Sequence, residues 1–393
     1  MRKLLAIILA ATMLLTIVAC KKQTKPGPVT QPSPTQATPT DPSTQPGTEG
    51  STPSENPTVL QKPMYAISLV PQTETATDSN NTVRFKYTHQ NISLVLPEPE
   101  VADRIILDYL NRMDRADQYA QTLRTEILRD EYKDSGVPFM YNVSYTPMRF
   151  DSMLLSMLET DIEYMGWIHP NDYSHGVTYD LLTGETLKLS DVLCDNVTVE
   201  SIAAAAISKV SSQDGLWPNY DEIIQDSFVV GLEKYDCWYF SENGLCFCFD
   251  PYLLAPYAAG PITIEIPYEA LLGTLRDEYF PAEKDTYKGN LIAKPFTADS
   301  FGEFTQFSEV VLVENGTKIL LSAENAITNI SIQTIDKNNV NGPTVMAVQS
   351  LTPGDAIMIE FDPNTTKLLI NYLSNGEYVA KSITVNGNSI TIS

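Results

Sequence analysis

The chain has 393 residues, with 49 Asp and Glu against 26 Lys and Arg, a formal net charge of −23 and three histidines. Such a balance repels nucleic acid and anionic lipid surfaces and favours cationic partners through long-range steering. The length allows more than one domain with its own core.

Arg2 and Lys3 form a positive n-region, residues 4–15 an apolar stretch, and "IVAC" closes it at Cys20. This is the pattern of a signal peptide over residues 1–20. A cysteine after Ala19 is similar to the bacterial lipobox. On that reading Cys20 is lipidated and the chain is held at the cell membrane, on its extracytoplasmic side, without a spanning helix. The alternative is an ordinary secretory signal with a chance cysteine. Residues 21–63 are rich in Pro, Thr, Ser and Gln and nearly free of aliphatics. They predict a disordered tether, because such a segment cannot bury a core.

Order is expected from Met64. "MYAISLV" and "TVRFKYTHQNISLVLPEP" read as strands. From Glu98, Val101, Ile105, Tyr109, Met113 and Ala116 recur at helical spacing, so a long amphipathic helix runs past Arg124 and stops before Gly136. "FMYNVSYTPMRF" and "SMLLSMLETDIEYMGWI" return to alternation, with Met153, Leu155 and Met157 on one face. "GVTYDLLTGETLKL" predicts a strand pair turning at Thr183-Gly184. Thr198 caps a helix that Gly215 stops, and a second helix begins at Pro218.

In "CWYFSENGLCFCFD" the Asn243-Gly244 pair signals a two-residue hairpin loop. That loop would oppose Tyr239 with Cys248 and Ser241 with Cys246, leaving Cys237, Cys246 and Cys248 on one face. A disulfide from Cys194 to one of them and four free cysteines are both open. "PITIEIP" predicts a strand and "YEALLGTLRDEYF" a helix. The expected fold class is therefore an α+β module in two parts, residues 64–165 and 166–285, an antiparallel sheet with packed helices. Residues 296–393 carry short strands at about ten-residue spacing without a helix pattern, which predicts a β-sandwich-like domain.

Two blocks carry a resemblance. "HPNDYSHGVTYDLLTGETLKLSDVL" and "WYFSENGLCFCFDPYLLAPYAAGPITIEIPYEALL" resemble the domain-of-unknown-function family 3298. "THQNISLVLPEPEVADRIILDYLNR" resembles the 4163 type that precedes it. The resemblance implies extracytoplasmic α+β domains of the kind found in the ectodomain of a lysozyme-sensing anti-sigma factor and beside some peptidoglycan deacetylases. Met165-Gly166-Trp167-Ile168 departs from the family's usual approach to the histidine-proline step at His169.

The histidines are His89, His169 and His175, too few and too scattered for a deacetylase metal centre. His169 and His175, six apart with Asp172 between them, could chelate a metal in principle, but a turn after Pro170 with exposed polar residues explains them more simply, and no metal or other cofactor is expected. Glu159, Asp161 and Glu163 share one strand face. They suit glycosidase acid and base work or calcium in principle, and a solvated face of like charges in the ordinary case. No nucleophile elbow, phosphate loop or dinucleotide fingerprint occurs, so no catalytic residue is assigned.

"FDPYLLAPYAAGP" combines Pro251, Pro256 and Pro261 with Tyr252 and Tyr257. The prolines stiffen the backbone and the tyrosines offer amphipathic contact area, either to complete a core or to meet a partner. His169, Pro170, Tyr252, Pro256 and Tyr257 are the candidate ligand contacts. The expected function is a membrane-anchored, non-catalytic binding module for lysozyme, another cationic protein or a cell-wall glycan. The alternatives are a peptidoglycan hydrolase or deacetylase accessory protein, and a purely structural envelope protein.

Overall fold

The computed structural model describes residues 64–129, 136–235, 237–282, 288–387 and 389–393. The expected signal peptide with Cys20 and the expected tether lie outside the described residues. The chain opens with β1 (Ala66–Thr77) and β2 (Val83–Val95). The long helix α1 (Pro99–Ile127) follows, then β3 (Phe139–Phe150), β4 (Leu154–Tyr164) and β5 (Asn171–Asp180). α1 has Pro99 at its first position, where the missing N–H costs nothing. Its nine buried side chains, Val101, Ile105, Tyr109, Met113 and Leu123 among them, follow the predicted stripe. They pack on Phe85, Tyr87, Tyr141, Val143, Tyr145, Leu155, Met157 and Val177 of the strands. Each large apolar side chain so buried contributes about 1.5–3 kcal/mol. α1 is also the crossover that lets β2 and β3 run parallel.

The next segment contains α2 (Leu189–Val192), α3 (Val199–Val210) and α4 (Tyr220–Tyr235), then β6 (Trp238–Phe240), β7 (Gly244–Phe249) and β8 (Ile262–Pro267). Its core joins Ile202, Ala206 and Val210 of α3 to Phe240, Phe247, Leu254 and Ile264. Leu154 belongs to this core while Leu155 and Met157 belong to the one under α1. Met153 precedes the strand and packs with Leu154's core. It therefore does not share a face with Leu155 and Met157 as the alternation predicted.

The C-terminal strands are β9 (Leu291–Pro295), β10 (Gln306–Val311), β11 (Thr317–Ala323), β12 (Ile327–Asp336), β13 (Asn341–Leu351), β14 (Asp355–Phe361), β15 (Thr366–Ser374), β16 (Glu377–Asn386) and β17 (Ser389–Ile392). β10-β14-β11-β9 form a four-stranded sheet. It packs through Ile319, Leu321, Ile357 and Phe361 against Ile330, Ile332, Met346 and Ile370, as the two layers of a sandwich. The second layer is no separate sheet. β1 pairs with β2 along its length and also, at Ala66–Ser68, with Met346–Val348 of β13. One ten-stranded sheet results, in the order β17-β16-β15-β12-β13-β1-β2-β3-β4-β5. The molecule is mostly β, and the α+β and sandwich parts are two ends of this sheet.

Three local expectations are corrected. "YEALLGTLRDEYF" forms two short 3-10 turns, Tyr268–Leu271 and Asp277–Tyr279, separated by Gly273 at φ +73°. After β5 the predicted strand pair reduces to a single bridge, Tyr179 to Thr186, while β5 itself starts five residues before Gly176. The hairpin pairs Tyr239 with Cys246 and Phe240 with Leu245, and Ser241 N–H bonds the Gly244 carbonyl. The loop is therefore Glu242-Asn243, and Cys237 lies opposite Cys248. The Ser241 hydroxyl accepts from the N–H groups of Asn243 and Gly244, which closes the turn one residue earlier than the Asn-Gly signal suggests. Cys246 and Cys248 still share a face with Tyr239, and Cys194, Cys237, Cys246 and Cys248 are all free thiols.

Candidate functional site

Residues 250–260 connect β7 to β8. The N–H of Leu253 bonds the carbonyl of Asp250 at 3.1 Å, with Pro251 at the second position and Tyr252 at the third with φ +72°. This is a type II turn, whose third position normally holds glycine because a Cβ is crowded at positive φ. Here it holds a tyrosine whose side chain is 57% exposed. Leu254 and Ala255 turn inward to the core, and Trp217 clamps the loop, its Nε1 donating to the Tyr252 carbonyl (3.2 Å) and its backbone N–H to that of Leu254 (2.8 Å). Pro256 leads into a 3-10 turn, Tyr257–Ala259, which Gly260 ends at φ +72°.

The loop meets the segment entering β5. His169 stacks on Tyr257 with ring centroids 3.6 Å apart and 17° between planes. His169 Nε2 lies 3.0 Å from the Tyr252 hydroxyl and its Nδ1 2.9 Å from the Pro170 carbonyl. The carbonyl only accepts, so Nδ1 carries the proton and Tyr252 donates to Nε2 in the neutral ring. Tyr257 also donates to the Pro170 carbonyl, at 3.1 Å. His169, Pro170, Tyr252 and Tyr257 thus form one cluster, and Pro256 sits exposed at its side. Trp167 and Ile168, next to His169, are 70% and fully exposed, and Leu253 is exposed as well.

Two carboxylates lie beneath this aromatic rim. Asp250 Oδ1 accepts from the backbone N–H of Ser174 at 2.8 Å and so covers the free edge of β5. Burial pushes its pKa up, with Asp172 adding to the effect while the Ser174 bond and His175 oppose it. Asp172 is half-buried, and its Oδ1 is sealed from solvent without a donor. The Tyr257 hydroxyl is raised by desolvation and by the Asp172 charge. Asp172 and His175 fall on opposite faces of β5, and among the described residues no three His, Cys, Asp or Glu side chains converge as metal ligands.

The rim is positioned by a close backbone approach. A Cβ on Gly176 would stand 1.7 Å from the Trp238 carbonyl, so only glycine lets β6 lie against β5 there. Phe240 N–H then bonds Ser156 Oγ at 2.8 Å, and Ser156 bonds Thr178 at 2.7 Å. Arg149, 4% exposed, ties the end of β3 to the next segment. It pairs with Asp151 at 2.7 Å, donates to the Tyr268 hydroxyl and the Tyr279 carbonyl, and stacks on Phe240.

The three alternating carboxylates of β4 are not a solvated face. Glu159, Asp161 and Glu163 are half-buried and oppose Tyr145, Val143 and Tyr141 of β3. Tyr141 donates to Asp161 at 3.1 Å and Tyr119 of α1 to Glu163 at 3.2 Å. Burial, then Glu159, pushes the Asp161 pKa up to about 6. The signal for this ladder was the matching alternation of tyrosines in "FMYNVSY", which only the strand register turns into contacts.

Residues 190–269 match the family model described as a protein of unknown function, DUF3298. No curated protein matches the chain. Among solved structures, a DUF3298 family member from Bacteroides fragilis is 18% identical, with a TM-score of 0.41 over 55% of this chain and 94% of that one. A DUF3298 family protein from Pseudomonas aeruginosa PAO1 is 14% identical, with a TM-score of 0.38 over 55% and 97%. Residues 190–269, which include the Tyr252 and Tyr257 loop but not His169, are a DUF3298 domain.

Proposed function

We propose that the protein is a cell-envelope lipoprotein, anchored through Cys20, whose described part is a non-catalytic binding module for a cationic protein, with lysozyme as the first candidate. The rim of His169, Pro170, Tyr252, Pro256 and Tyr257 makes the contact. The observation that carries this reading is Tyr252. A tyrosine held at positive φ costs about 1 kcal/mol or more, and its exposed ring regains little of that by burial. Strain of this kind persists where a side chain must be presented. Trp167, Ile168 and Leu253 widen the apolar surface around it, and aromatic residues of this type dominate binding hot spots. The net charge of −23 supports a cationic partner.

A hydrolase reading draws on Asp161, whose raised pKa suits a general acid. Its Oδ1 is sealed from solvent and its Oδ2 is held by Tyr141, so no substrate oxygen reaches it in this geometry.

Calorimetry of the protein against a panel of c-type and related lysozymes tests the binding reading. Heat of binding that Tyr257→Ala abolishes, with its melting temperature retained, supports it. No heat with any lysozyme at tens of micromolar overturns the lysozyme assignment.

A further inference from the structure

We propose that Cys237 and Cys248 are a redox-active thiol pair, which a disulfide oxidant closes into a bridge across the β6-β7 hairpin, at the base of the loop that carries Tyr252 and Tyr257. The inference concerns what holds the rim in place and stands whatever the rim binds.

The hairpin register sets the two residues opposite each other. Trp238 pairs with Phe247 and Tyr239 with Cys246, and the N–H of Cys248 bonds the Cys237 carbonyl at 2.8 Å. Residues opposed at such a hydrogen-bonded position have Cα atoms about 5.5 Å apart, inside the range of about 4.4–6.8 Å that disulfides span. Both lie on the face of Tyr239, where Cys237 packs against the cluster of Tyr239, Cys246 and Cys248. The Cys248 thiol already leans across the hairpin, its Sγ 3.2 Å from the Cys237 carbonyl oxygen and 3.4 Å from that of Ser174.

The other two cysteines are placed differently. Cys246 faces Tyr239 across the hairpin, so it meets Cys237 only on the diagonal, at about 7–8 Å. Its Sγ is directed at Glu265 of β8, 3.7 Å away, on the side opposite β6. The Cys194 Sγ donates to the Leu275 carbonyl at 3.3 Å, beside the bridge from Leu193 to Leu275.

Cys237 is half-buried while Cys248 is buried, and burial holds the Cys248 thiol well above its ordinary range. The order of events follows from this difference. The Cys237 thiolate attacks the oxidant, a small disulfide RSSR, forming a mixed disulfide and releasing one RS−. Cys248 then attacks the Cys237 sulfur and expels the second RS−. The two cysteine thiols are oxidised, the oxidant is reduced, and their two protons leave on two RSH. The bond ties the entry of β6 to the strand end that leads into Asp250, whose carboxylate holds the Ser174 N–H at the edge of β5. A link at that point restricts the unfolded chain and stabilises the base of the rim loop.

The test uses the full chain, purified in detergent under reducing conditions. The reductant is removed, oxidised glutathione is added, remaining thiols are alkylated, and a chymotryptic digest is mapped by mass spectrometry without reduction. Peptides carrying Cys237 and Cys248 should be linked, with Cys194 and Cys246 alkylated. Oxidation should raise the melting temperature by about 2 °C or more, a shift that Cys237→Ser abolishes and Cys194→Ser retains. Alkylation of Cys237 and Cys248 in the folded, oxidant-treated protein would overturn the proposal. So would a bridge to Cys194 or Cys246 in their place, a glutathione adduct on Cys237 that never resolves, or a bridge that forms only in urea.

Discussion

The imidazole of His169 lies face to face on the ring of Tyr257, 3.6 Å between centroids, and joins the strand-entry segment of β5 to the loop between β7 and β8. Two segments far apart in sequence thus share one aromatic surface. Pro170 reinforces the join by accepting from both rings through a single carbonyl. What the pair does depends on the backbone that brings it together, and that backbone makes the first testable demand.

Gly176→Ala should destabilise the protein by on the order of 3 kcal/mol, since the new methyl meets a backbone carbonyl at 1.7 Å that no side-chain rotation can move. Urea denaturation measures it. A loss below about 0.5 kcal/mol would mean that β6 does not lie on β5 as described.

Asp161 should make stability pH-dependent in an unusual direction. Its folded pKa, about 6, stands above its ordinary value of 3.8, so the native state binds the proton more tightly than the unfolded chain. The stability this confers is complete below pH 3.8 and is lost as pH rises through 6. Asp161→Asn should therefore be more stable than wild type at pH 7.5, by on the order of 2 kcal/mol, and the advantage should vanish near pH 4. The difference between the two melting curves across that range is the readout. A constant difference contradicts the assignment.

Cys20→Ser should release the protein from membranes or leave its precursor unprocessed, because the proposed anchor is a thioether on that sulfur. Detergent-phase partitioning distinguishes the outcomes, and equal partitioning of mutant and wild type contradicts lipid anchoring.

Much of this was legible in the sequence where one period ran long enough. The stripe of α1 and nearly every C-terminal strand followed from spacing alone. Strand partners did not: Ala66 to Ser68 carry no mark of pairing with β13, since an apolar strand presents the same backbone groups to either neighbour. The hairpin loop slipped by one residue because the Ser241 hydroxyl, a turn-forming group, outcompeted the Asn-Gly signal. Four of the five candidate contacts, His169, Pro170, Tyr252 and Tyr257, form one cluster because the Pro-rich loop folds against the His169-Pro170 step, while Pro256 stays exposed at its side. Asp172 and Asp250 were missed as a pair, since nothing in their spacing tells that the loop folds onto the edge of β5. The tyrosine partners of Asp161 and Glu163 escaped notice for the same reason: register decides them.

On the proposed function Tyr252 is kept in a costly conformation in order to touch a partner, and one variant separates that cost from its use. Tyr252→Gly relieves the positive φ while removing the ring, so its stability by urea denaturation should lie between that of wild type and about 1 kcal/mol above it. Its affinity for the cationic partner, read by calorimetry on the same preparation, should fall by about 30-fold or more, the loss of 2 kcal/mol expected of a truncated anchor. Unchanged affinity together with a clear loss of stability would contradict the account, because Tyr252 would then be serving the fold and not a partner.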